Sequence, residues 1–166
     1  IEALRANLID VAVVTSPFAD KTGLNINVIK KLQDIVAAGN GFSYLKDKEI
    51  SLHELVKYPL ICLKNTTTTR NYLDHIFRQH NLLLRPDIEL TSINFVMPMV
   101  KNNLGIGFMQ YATTKAEIEA GNIFRVNTKE QIPPRSICAV TASQYETPEP
   151  VQRFIDSLLE KESVNI

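Results

Sequence analysis

The chain has 166 residues, 45% hydrophobic and 22% charged, with 18 Lys or Arg balanced by 18 Asp or Glu. That composition excludes a disordered or coiled-coil chain and suits one large domain or two small lobes. The zero net charge argues against a direct grip on a phosphate backbone, which depends on clustered cations.

Cys62 and Cys138 lie in the apolar runs YPLICL and SICAV, where a thiol acts as a small hydrophobe, so no disulfide framework is expected. No apolar run approaches the roughly 20 residues that cross a bilayer, and IEALRANLID carries charge too early for a signal peptide. A cytoplasmic protein without a membrane partner is expected. The first residue is not Met, consistent with an internal fragment.

In chain order, Glu2 to Asn7 can finish a helix and Asp10 to Thr15 reads as a buried strand stopped by Ser16-Pro17. Ile26 to Ala38 reads as one extended stretch, although its LQDIVAAG half also fits a short helix. Ser51 and Glu54 have capping-box spacing, starting a helix that runs to about Lys57. Leu60 to Leu63 is a strand. After the threonine run, Tyr72, Leu73, Ile76 and Phe77 mark one face of a helix from about Thr69 to His80. Ile88 to Thr91 is a strand, and Ser92 caps a helix whose stripe is Phe95, Val96, Met99 and Val100 and which ends before Gly105. Gly105 to Met109 is a strand, Thr114 to Ala120 a weaker helix ending at Gly121, Ile123 to Val126 a strand or turn, and Ser136 to Thr141 a strand. In the last helix, Thr147 is the expected N-cap and Pro148 the first helical residue, with Val151, Phe154, Ile155, Leu158 and Leu159 on one face. This alternation implies an α/β fold with a mainly parallel sheet, in which ligands bind at the C-terminal strand ends.

Candidate chemistry is sparse. His53, His75 and His80 fall in no nucleophile or metal motif, so surface or structural roles are expected and no metal site. Gly105-Ile106-Gly107 is a lone GxG in a strand, better suited to close backbone packing than to a phosphate loop. Asp47 and Glu49 belong to a charged turn. Thr66 to Thr69 stand apart, because hydroxyls and helix N-terminal amides converge there just past a buried strand, a place that favours carboxylates and other anions. The plainer reading is that one threonine caps the helix and the others face water. Arg70 is better suited to bracing a neighbouring carboxylate than to pairing with a ligand. Thr15 and Ser16 form a comparable polar strand end, whose plainer reading is a turn.

The segments LRANLIDVAVVTSP, ISLHELVKYPLICL, TTTTRNYLDHIF, IELTSINFVMPMVKNNLGIGFM and TPEPVQRFIDSLL, in this order and covering nearly the whole chain, resemble the effector-binding domain of LysR-type transcriptional regulators. The resemblance implies two Rossmann-like α/β lobes joined by two crossover strands, similar to type 2 periplasmic binding proteins, with a ligand cleft between them. Lobe one would comprise residues 1–31 and 133–166 and lobe two residues 36–129, with crossovers near Lys31 to Val36 and Gln131 to Arg135. The family's winged helix-turn-helix, linker helix and first strands of lobe one precede the part of the pattern that this chain carries, so the first lobe is expected to be incomplete at its N-terminus. By position, the ligand contacts would be Thr15 and Ser16 from lobe one and Thr67, Thr68 and Thr69 from lobe two. Met109-Gln110 stands where many members carry Leu-Pro. The implied function is sensing of a small anionic effector, with lobe movement resetting the geometry of a dimer, or of a tetramer in the full-length protein. DNA would be bound only through the missing N-terminal domain, with no cofactor and no catalysis. A transporter's solute-binding protein and an enzyme on the same fold are the alternatives.

Overall fold

The computed structural model describes residues 1–18 and 20–163, the last three by backbone alone. In chain order the elements are α1 (Glu2–Arg5), β1 (Ala12–Thr15), β2 (Leu24–Leu32), β3 (Asp34–Gly39), a 3-10 segment (Asn40–Leu45), β4 (Glu49–Ile50), α2 (Leu52–Leu55), β5 (Leu60–Leu63) and α3 (Thr68–Gln79). There follow β6 (Ile88–Leu90), a 3-10 turn (Ile93–Phe95), α4 (Val96–Lys101), β7 (Ile106–Gln110), α5 (Tyr111–Glu119), β8 (Ile123–Thr128), β9 (Arg135–Ala142) and α6 (Glu149–Ser163). They form two compact units, one from Ile1–Leu32 together with the chain from Pro134 on, the other from Gln33–Pro133.

Unit one holds a sheet in the order β1-β9-β2, antiparallel throughout. Unit two holds the order β4-β8-β3-β7-β5-β6, in which β4–β8, β7–β5 and β5–β6 are parallel and β8–β3 and β3–β7 antiparallel. The expectation of a mainly parallel sheet is therefore corrected to mixed and antiparallel sheets. The strands that follow a helix, β5 to β8, do run in one direction, but β3 enters straight from β2 across Gln33 and runs against them, and β9 runs against both its neighbours. The stretch expected as one strand from Ile26 to Ala38 divides at Gln33 into β2 and β3, which belong to different sheets.

Every residue of β3 is buried, and its two faces feed two cores, as a period-two strand must. Val36 and Ala38 pack with Phe77, Phe108 and Leu60, whereas Ile35 and Ala37 pack with Val96, Val100 and Met109. This two-sided burial decides the helix-or-strand ambiguity of LQDIVAAG. Tyr72, Leu73, Ile76 and Phe77 form the buried stripe of α3, and the Phe77 ring meets Phe108 edge-on at 5.9 Å. Burial of each such side chain contributes about 1.5–3 kcal/mol. Gly107 has the expected packing role, because a Cβ there would lie 2.7 Å from Val100 Cγ2 and 2.8 Å from Val96 Cγ1. Its absence lets α4 settle on β7.

Helices α1, α3, α4 and α5 end alike. In α4 the amides of Asn103 and Leu104 donate to the carbonyls of Val100 and Met99, at 3.0 and 3.1 Å, around an Asn103 φ of 62°, which is the Schellman arrangement. Asn7, Asn81 and Gly121 occupy the same left-handed position in α1, α3 and α5. Helix α4 ends before Gly105, as expected, with Asn103 in the left-handed position, while Gly105 serves close packing: its Cβ would lie 2.7 Å from the Pro59 carbonyl. Phe95 and Phe154, expected on apolar helix faces, are 58% and 44% exposed. Helix α6 starts at Glu149, with the Pro148 carbonyl accepting from Gln152 at 3.0 Å. Helix α2 is a single turn in which Ser51 Oγ accepts from the Glu54 amide at 3.2 Å, while the Leu52 amide is taken by Glu130 at 2.8 Å.

Candidate functional site

In unit two, β5 runs between two parallel neighbours, so the C-terminal ends of β5, β6 and β7 lie along one rim. The Lys64 amide donates to the Leu90 carbonyl at 2.9 Å, closing the first two ends together. The chain then turns through Asn65, Thr66 and Thr67 into α3. The amides of a helix's first turn have no carbonyl one turn back to receive them, and together with the helix dipole they favour an anion.

The threonines separate by role. Thr67 is the N-cap: its Oγ1 accepts from the Arg70 amide at 3.2 Å and donates to the Lys64 carbonyl at 2.8 Å. Its one hydroxyl proton is therefore committed within the turn. Thr66 and Thr68 are exposed and Thr69 is half-buried, and Thr68 and Thr69 stand in the first turn of the helix. Arg70 points inward. It is 6% exposed, with Nε on Asp74 at 2.9 Å and Nη1 on Glu89 at 2.7 Å and on the Leu63 carbonyl at 3.2 Å. Its Nη2 donates to the Leu84 carbonyl at 3.1 Å. Arg70 is thus a brace for β5, β6 and α3.

In unit one, Thr15 ends β1 opposite Ile137 and is half-buried. Ser16 continues the pairing with β9: its amide donates to the Ser136 carbonyl, and its Oγ accepts from the Ser136 amide, both at 2.8 Å. The Ser16 hydroxyl keeps its proton for a further acceptor.

His53 and His75 are exposed and His80 is half-buried just past the end of α3. No cluster of three His, Cys, Asp or Glu side chains that could hold a metal occurs among the described residues. Burial pushes the Cys62 thiol up to about 12, and the Cys138 thiol is also raised by burial. A shallow depression in unit one is lined by Asn7, Asp10, Tyr145, Glu146 and Pro148 among others, and its two carboxylates make it unsuited to an anion. The sequence gives no sign of Gln33 and marks Tyr72 only as part of an apolar helix face, yet they bond the carbonyls of Ile132 and Pro133. Their partners lie far along the chain, so no local pattern marks these bonds.

Residues 1–163 match the LysR substrate binding domain family. The chain belongs to that family. Its LysR-type sequence is 29% identical over 111 residues to the HTH-type transcriptional activator CmpR of Synechocystis sp., an alignment covering 66% of this chain and 36% of that protein. The chain thus spans about a third of the length of this relative. The LysR-type fold is also seen in the regulatory domain of Synechocystis PCC6803 CcmR in complex with 2-PG, with a TM-score of 0.78 at 18% identity, covering 97% of this chain and 77% of that one. The effector binding domain of QuiR in complex with shikimate superimposes with a TM-score of 0.74 at 17% identity, covering 98% and 76%. The architecture is accordingly that of LysR regulatory domains, an α/β fold of the type 2 periplasmic-binding-protein kind. Membership in this family disfavours the solute-binding-protein and enzyme alternatives. No helix among the described residues is long and apolar enough to cross a membrane.

Proposed function

We infer that this LysR-type domain senses a small anionic effector through the turn that opens α3, as the regulatory part of a longer cytoplasmic protein. The observation that carries this reading is the start of α3, where Thr68 and Thr69 and the first-turn amides sit at the end of a buried parallel strand. Relatives whose regulatory domains hold 2-PG and shikimate support small oxygen-rich ligands. The domain performs no chemistry of its own and needs no cofactor. It self-associates as a dimer, or as a tetramer in the longer protein, and DNA is engaged through a separate N-terminal domain.

Calorimetric titration of the chain with 2-PG, shikimate and a series of small carboxylates and phosphates tests the reading. Binding of one member is expected, with Thr68→Ala or Thr69→Ala weakening it by roughly 1.5–3 kcal/mol, about ten- to over a hundredfold, because a hydrogen bond to a charged group is lost. Thr15→Ala and Ser16→Ala enter the same titration as further candidate contacts. An affinity indifferent to Thr68 and Thr69, or no binding across the series at millimolar concentration, would defeat the reading.

A further inference from the structure

Both crossings of the chain out of unit two are held by side chains that ligand contact does not account for. At the first, Gln33 Nε2 donates to the Asp34 carbonyl at 2.9 Å and to the Ile132 carbonyl at 3.1 Å, while the Gln33 carbonyl accepts from the Tyr111 amide at 2.8 Å. One side chain therefore ties the first crossing to the start of the second, 99 residues on. At the second crossing the Tyr72 hydroxyl donates to the carbonyl of Pro133, the last residue of unit two. Pro133 and Pro134 have no amide hydrogen, so this stretch can be held only through its carbonyls or its packing.

Tyr72 lies one turn into α3 from Thr68, and at 8% exposure its ring is fixed by packing. Arg70 and Tyr72 leave the helix about 200° apart, so they anchor opposite sides of it: Arg70 to β5 and β6, Tyr72 to the crossing. A hydrogen bond is steeply sensitive to distance and angle, and a shift of about 1 Å in the helix breaks it. We propose that Tyr72 is the positioning residue through which the state of the first turn of α3 is passed to the second crossing. The proposal rests on the reading above for its biological input, whereas the mechanical link can be tested without ligand.

Hydrogen–deuterium exchange of the chain, compared among wild type, Thr67→Ala, Tyr72→Phe and the double variant, is the test. Tyr72→Phe removes only the hydroxyl and is expected to speed exchange over residues 129–136 about fivefold, the equivalent of one hydrogen bond, with residues 73–79 still protected. Thr67→Ala, which loosens the first turn, is expected to speed the same region when Tyr72 is present and to add nothing when it is Phe. Unchanged rates over 129–136 in both single variants, or fully additive effects, overturn the proposal. If Tyr72→Phe loses protection throughout α3, the response of 129–136 to Thr67→Ala decides alone. Failure of every anion to bind would leave these rates untouched, so failure of the effector reading and failure of the link are told apart.

Discussion

Arg70 Nη1 stands 2.7 Å from Glu89 Oε1, joining α3 to the edge strand of unit two. The same guanidinium holds Asp74 at 2.9 Å and two carbonyls, Leu63 and Leu84. Arg70→Met keeps the stem but deletes every guanidinium donor, so the Asp74 carboxylate and both carbonyls lose this partner. A loss of about 3 kcal/mol is expected, read as a lower urea midpoint with an unchanged slope. Glu89 is 42% exposed, so Glu89→Gln should cost at most about 1 kcal/mol. Equal losses for the two substitutions would contradict this division of roles.

Thr67 and Thr68 are neighbours with opposite forecasts. Thr67→Ala removes the cap of α3 and is expected to cost about 1 kcal/mol, whereas Thr67→Ser, which keeps the hydroxyl, should cost only a few tenths. Thr68 is exposed at the first helical position, and its replacement by Ala should leave the melting temperature unchanged. Scanning calorimetry of the three variants checks the ordering.

Cys62 and Cys138 are free and buried. With the Cys62 thiol pushed up to about 12, only about one molecule in ten thousand carries its thiolate at pH 8, and the thiolate is the nucleophile. Thiol reagents should therefore label the native chain no faster than it unfolds, and labelling at the rate of a free peptide would refute the burial. The pH dependence follows from the same shift. The folded value lies above the ordinary value of 9.0, so the contribution to stability is complete below pH 9 and is lost as the pH climbs towards 12, because only the unfolded thiol ionises in that window.

Asn103 performs two tasks, holding a φ of 62° and accepting the Gly41 amide on Oδ1 at 2.6 Å. Asn103→Gly keeps the first and loses the second, while Asn103→Ala loses both. Losses of about 1 and about 2–3 kcal/mol are expected in that order. A glycine variant less stable than the alanine variant would show that the left-handed turn is not what the position demands.

Much of the α/β order was legible because burial leaves a local trace: Leu60–Leu63 and Arg135–Ala142 are apolar runs and α3 shows a clean stripe. Sheet direction was not, since β9 takes both its partners, β1 and β2, from more than 100 residues earlier. Helix ends were legible, about His80, before Gly105 and at Gly121, whereas the left-handed turns that asparagine makes at Asn81 and Asn103 were not. In the candidate site, the bracing role of Arg70 could be weighed from its chemistry alone. Which threonine caps α3 could not, because that depends on where the first turn begins, and a shift of one residue exchanges a cap for an exposed side chain.

The pairing of β9 with β1 and β2 also sets an order of events as the chain is made. Unit two is continuous, so all its strands are available once residue 133 has emerged. Ala12–Thr15 and Leu24–Leu32 must wait for Arg135–Ala142, since β9 is the strand that joins them. That closure spans about a hundred residues and would carry a heavy entropic cost in an unfolded chain. A unit two already folded, with Gln33 holding Ile132, brings the two ends of that long loop together beforehand. Folding of unit two first would thus shorten the search that its host must make.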